Sequence, residues 1–155
     1  MDMESDSTDK NNFYSGDSLE QRKAEGWLMD QLSKKLGTKL EKRKFTLEGG
    51  SWIELDGYCE SPLTLCEAWA HVGPPKSAQK NKVMTDALKL LFANIQVGGN
   101  AQCILLFSDC DAAAPFIRDT WMAQCLKEYG ISVEVIEFPK DMKDKVLEAQ
   151  KRQYR

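Results

Sequence analysis

Apolar residues along this chain change their spacing from segment to segment, and each change marks a boundary. Leu19, Trp27, Leu28, Leu32 and Leu36 recur at helical intervals. Asp17 or Ser18 supplies an N-cap, Glu20 suits the positive helix end, and Gly37 stops the helix. Three strand segments follow, Thr38–Leu47, Ser51–Glu60 and Thr64–Ala70, with turns at Glu48-Gly49-Gly50 and Ser61-Pro62. After a loop at His71–Ser77, helical spacing returns from Ala78 to about Gln96. Val83, Met84, Ala87, Leu88, Leu91 and Ile95 are expected on one face. Ala101–Ser108 is continuously apolar, as in a strand covered on both sides. A helix from roughly Pro115 to Tyr129 and a strand at Ile131–Phe138 complete the pattern. Lys140–Arg155 suits a charged helix with Met142, Val146 and Leu147 on one side, either docked or frayed.

The order is helix, three strands, helix, strand, helix, strand. It predicts an α/β sandwich in which an antiparallel meander joins a right-handed parallel unit, a mixed sheet with helices on both faces. Met1–Gly16 is polar, acidic and almost free of aliphatic residues, so residues 1–16 are expected to form a disordered tail. Residues 17–138 are then a single domain, and 139–155 a C-terminal helical extension.

Composition narrows the partners. The formal net charge is −3, and 155 residues suffice for one core. No whole-molecule positive field would attract nucleic acid, so any such contact needs local patches. The five cysteines form no CxxC pair and read as reduced intracellular thiols, with Cys66 and Cys103 in apolar runs. The single histidine, His71, excludes a His-rich metal site. No apolar run is long enough for a membrane span, and a cytoplasmic protein is expected.

The candidate chemistry lies in the second and third strands. Asp56 in ELDGY and Glu67 in LCEAWA sit on neighbouring strands. By alternation, Glu54, Asp56 and Tyr58 should share a face, as should Leu65, Glu67, Trp69 and His71. Paired across the Ser61-Pro62 turn, the two carboxylates can hold Mg²⁺, a hard ion that takes oxygen ligands and few of them from protein. A carboxylate between apolar neighbours, as at Glu67, is costly unless paired or bound to metal.

The element order with Asp56-Gly57 and Glu67-Ala68 resembles the PD-(D/E)XK phosphodiesterase superfamily, the restriction-endonuclease-like fold, over about Asp17 to Phe138. The resemblance implies metal-dependent phosphodiester hydrolysis of nucleic acid, DNA ahead of RNA, with Mg²⁺ or Mn²⁺. Asp56 and Glu67 would bind the metal, aided by Glu25 from the first helix (Glu20 second) and by the Ala68 carbonyl. Trp69 stands where the family places its lysine. An indole cannot carry that charge. Some members bring the lysine from the next helix, which makes Lys80 the expected catalytic lysine and Lys76 the second choice. Gln79 matches a helix glutamine of the exonuclease branch, whose accompanying tyrosine is replaced by Val83.

Each residue also has a plain reading. Trp69 is a packing residue or a base-stacking one. His71 hydrogen-bonds near its loop, and Glu25, Lys80 and Lys76 are solvated. The basic run Lys34, Lys35, Lys39, Lys42, Arg43 and Lys44 is a solvated face or, with Lys76, a phosphate-contacting edge. The alternative to a nuclease is a catalytically inactive nuclease-fold module that binds nucleic acid or a protein partner. A nucleotide loop at Asp109 ranks last for want of a glycine-rich cradle, and Ser108-Asp109 reads as a helix start.

Overall fold

The computed structural model describes residues 7–153, and their side chains from residue 19 onward. The elements in order are α1 (Ser7–Leu36), β1 (Glu41–Thr46), β2 (Trp52–Glu60), β3 (Leu63–Trp69), α2 (Ser77–Gln96), β4 (Gln102–Phe107), α3 (Cys110–Ala113), a 3-10 turn (Ala114–Phe116), α4 (Trp121–Glu128), β5 (Ile131–Val135) and α5 (Lys140–Gln153). The five strands form one mixed sheet in sequence order. β1, β2 and β3 run antiparallel, and β3, β4 and β5 run parallel. The fold is therefore the expected α/β type.

Alternation along the central strands builds two cores. Cys103, Leu105 and Phe107 of β4 pack with Leu65 and Trp69 of β3 and with Val83 and Leu90 of α2. Ile104 and Leu106 face the other way, with Cys66, Leu28 and Leu32. The apolar run of β4 is the result of cover on both sides.

Three elements differ from expectation. Helix α1 begins well before Asp17, since an established helix extends at little cost; residues 1–6 lie outside the described residues. The helix expected from Pro115 to Tyr129 begins only at Trp121, where Thr120 caps it, and a short α3 and the 3-10 turn come before it. Asp109 caps α3 by accepting from the Ala112 N–H, and Thr120 caps α4 by accepting from the Ala123 N–H. Helix α2 is rotated from the predicted face. Val83, Ala87, Leu90 and Ala93 are buried, while Leu88 and Ile95 are exposed.

Helix α5 is docked. Gln150 clasps the loop after β3, with its Oε1 accepting from the Val72 N–H at 2.8 Å and its Nε2 donating to the Val72 carbonyl at 2.9 Å. Val146 and Ala149 are buried beneath it. Among the described residues, no helix is long and apolar enough to cross a membrane.

Candidate metal centre

The site starts from an irregularity in β2. Glu41 pairs with Tyr58 and Arg43 with Leu55, so two steps along β1 match three along β2. The extra residue is a bulge at Asp56-Gly57, a device that re-aims a side chain. Ile53, Leu55 and Tyr58 all face the α2 side. Asp56 does not share the face of Tyr58, contrary to simple alternation. Gly57 faces α1, where the Met29 sulfur leaves no space for a Cβ: one built there would lie 2.5 Å from it.

β2 and β3 pair from Gly57↔Cys66 to Glu60↔Leu63 and then part. Glu67, Ala68 and Trp69 continue along β4 alone. Asp56 fills the gap that opens, its Oδ2 accepting from the Ala68 N–H at 2.9 Å. A strand residue's N–H and C=O point to the same neighbour, so the Ala68 carbonyl also faces this gap.

Glu67 meets Asp56 there, close enough for a shared hydrogen bond between the carboxyls. Glu67 is 4% exposed. Burial, reinforced by the bond to Asp56 and its charge, pushes Glu67 up to about 9. The pair thus keeps a proton at neutral pH. From α2, Lys89 Nζ comes within 2.6 Å of Glu67 Oε1. At that distance the ammonium and the carboxyl form a close ion pair, which draws the Glu67 pKa down against the larger effect of burial. Burial disfavours the Lys89 charge, but Glu67 and Asp86 outweigh it and raise its pKa.

Glu25 reaches the same gap from the opposite layer. With Asp56, Lys42, Arg22, Met29 and Leu40 it lines a cavity of about 200 Å³. Burial and then Asp56 raise its carboxyl to about 7, against the pull of Lys82 and Lys42. Asp86 is also raised, chiefly by burial. Two helical layers thus meet through an opening in the sheet: α1 contributes an acid, and α2 an acid and lysines.

Asp56 meets Glu67 on one side and faces Glu25 across the cavity on the other, but the three are not grouped about one point. Lys80 does not join them. It precedes Lys89 by nine positions at about 100° each, half a turn out of phase. Among the described residues, the cation against Glu67 is Lys89, which the sequence reading missed. Its signal was present: Lys82, Asp86 and Lys89 recur at helical spacing, but choosing Leu88 and Ile95 as buried turned that stripe outward. Trp69 packs in the core, stacked on His71 at 4.4 Å and edge-on to Phe107, which leaves it no base-stacking role. Burial lowers the His71 pKa. Lys76 precedes α2, and its N–H donates to Gln79 Oε1, so Gln79 serves the helix start.

The basic run is exposed and partly paired. Lys35 bonds Glu134 at 2.8 Å, Lys39 meets Glu41 at 3.2 Å and Arg43 reaches Glu60 at 4.0 Å. Lys34 is exposed at the end of α1, and Lys42 turns toward the Glu25 cavity. Lys44 lies over the Trp52 ring at 4.3 Å.

No group of three or more His, Cys, Asp or Glu side chains is placed to hold a metal among the described residues. Mg²⁺ requires only one or two carboxylates, with water and substrate completing its shell. Asp56 and Glu67 supply that number of carboxylates, and the Lys89 ammonium now stands against Glu67 Oε1 where an ion's charge would be. Two carboxylates and a backbone carbonyl are the oxygen-type donors that a hard divalent cation takes. No family model matches the chain, and no curated protein or solved structure matches it.

Proposed function

We propose that this protein is a Mg²⁺- or Mn²⁺-dependent phosphodiesterase acting on nucleic acid, DNA ahead of RNA, with the restriction-endonuclease-like architecture. The observation that carries the reading is the buried Glu67 carboxyl, which stands against a second acid, Asp56, and 2.6 Å from the Lys89 ammonium. A fold without chemistry to perform gains little from that arrangement, since burying two acids together is costly even when a cation is close.

Asp56 and Glu67 would hold the ion, with the Ala68 carbonyl beside them and Glu25 across the cavity. When bound, the ion supplies charge compensation at the scissile phosphate and a more acidic water. Lys89 takes the part expected of Lys80. Its ammonium, now against Glu67, offsets negative charge that builds up as the phosphate is attacked. Glu25, held at about 7 and so half-protonated near neutrality, can take up or return a proton at the cavity wall. Trp69 fills the motif position with packing, and α2 returns the missing charge.

The inactive-module alternative predicts binding without turnover. Cleavage of a labelled single-stranded and a duplex oligonucleotide in Mn²⁺ decides between them. Wild-type protein should cleave, Asp56→Ala, Glu67→Ala and Lys89→Met should each lose at least about 100-fold, and Lys80→Ala should stay near wild type. Cleavage that survives Asp56→Ala and Glu67→Ala overturns the site. No cleavage by wild type, with binding retained, favours the inactive module.

A further inference from the structure

We infer that the α1-side face of the β1–β2 hairpin is a docking track for unpaired nucleic acid, with Trp52 as its stacking platform. This inference deepens the phosphodiesterase reading and rests on it for the direction of the strand, though not for the existence of the surface.

Register sets the face. Ile53 and Leu55 turn into the α2-side core, so Trp52 and Glu54 turn the other way. Opposite them on β1 stand Thr46 and Lys44, through the pairs Thr46↔Trp52 and Lys44↔Glu54. β1 is exposed along its whole length apart from Phe45. Trp52 is 56% exposed on this open face.

A large aromatic ring left in water beside an ammonium needs a reason, because burying it would stabilise the fold. The Lys44 ammonium stands over the ring at 4.3 Å from its centre, a cation–π pair that holds the indole in place while the residue stays more than half exposed. Such a pair suits a nucleotide, whose base stacks on the indole while its phosphate takes the ammonium. The same face leads to the metal centre. Lys42, two residues before Lys44, lines the cavity that holds Asp56 and Glu25. Trp52 precedes Asp56 by four strand positions, about 13 Å at the usual rise. That distance admits a few nucleotides between the stacked base and the acids.

Stacking on Trp52 requires a base whose face is free. A duplex hides those faces, so the partner is a single strand, a frayed end or a loop. Lys44 and Lys42 supply local charge complementarity on a molecule whose net charge is −3.

The test is fluorescence anisotropy of a labelled 12-nucleotide oligothymidylate and of a blunt duplex of the same length. Both are read in EDTA, so that hydrolysis plays no part. Wild type should bind the single strand at least about 10-fold more tightly than the duplex. Trp52→Ala should weaken single-strand binding about 10-fold or more, from the loss of one stacking contact, and Trp52→Phe should restore most of it. Lys44→Ala should lower the slope of log affinity against log salt by about one. Equal affinity in Trp52→Ala, a preference for duplex, or no binding by wild type would each overturn the track. Sedimentation showing a wild-type dimer that Trp52→Ala dissolves, without oligonucleotide binding, would assign the face to a second copy instead. Mn²⁺-dependent cleavage, scored separately, reports on the metal centre whatever the track does.

Discussion

Glu67 and Asp109 are both acids on or just after a central strand, and both are almost fully buried, at 4% and 3% exposure. Their surroundings are opposite. Asp109 Oδ2 accepts from the Gly73 N–H at 2.8 Å and the Ala112 N–H at 3.2 Å, and Lys143 Nζ lies 3.4 Å from its Oδ1. It caps one helix, secures the loop after β3 and meets α5. Glu67 has no backbone N–H donor among its described bonds; it has a second acid beside it and the Lys89 ammonium 2.6 Å from its Oε1. Burial alone therefore does not separate a structural acid from a functional one. What separates them is whether the surrounding donors match the carboxylate.

The contrast can be broken in order of effect. Asp109→Ala removes a cap, a loop hydrogen bond and an ion pair together. Urea denaturation should show a loss of about 2–4 kcal/mol. A loss as small as that of a surface substitution would remove Asp109 from its structural role.

The next effect is on pH dependence. Glu67 holds its proton up to about 9 in the folded chain, against an ordinary value of 4.5. Between those values the folded state binds a proton that the unfolded state releases, so stability falls as pH rises. From pH 7 to 8.5, above the range of His71, the contribution should be up to about 1.4 kcal/mol per unit. Glu67→Gln should flatten this part of the profile. An unchanged slope in the variant would mean that Glu67 is ionised.

The smallest effect should be that of Glu67→Gln on stability itself. At pH 7 the substitution replaces a protonated acid with a neutral amide of the same shape, and denaturation should move by no more than about 1 kcal/mol. A loss comparable to that of Asp109→Ala would show that Glu67, too, is there to hold the fold.

Much of the scaffold was legible in the sequence. Period-two segments with turns at Gly49-Gly50 and Ser61-Pro62 gave the meander, and the unbroken run around Ile104 gave a central strand. Asp56 and Glu67 could be paired by their places near the turn. Other features depended on tertiary context. The bulge leaves no mark in composition beyond Gly57. Lys89 was hidden because exposed Leu88 and Ile95 mimic a buried stripe, whereas the sheet is met by Leu90 and Ala93. The cap at Thr120 delayed a helix whose apolar spacing reads as continuous from Pro115.

The bulge between Leu55 and Tyr58 sets architecture against chemistry at one backbone position. A chain one residue shorter there would let β2 stay zipped to β3, gaining ladder bonds and closing the slit through which the two helical layers touch. Such a shortened sibling would be the sturdier object, with an unbroken wall where the opening had been.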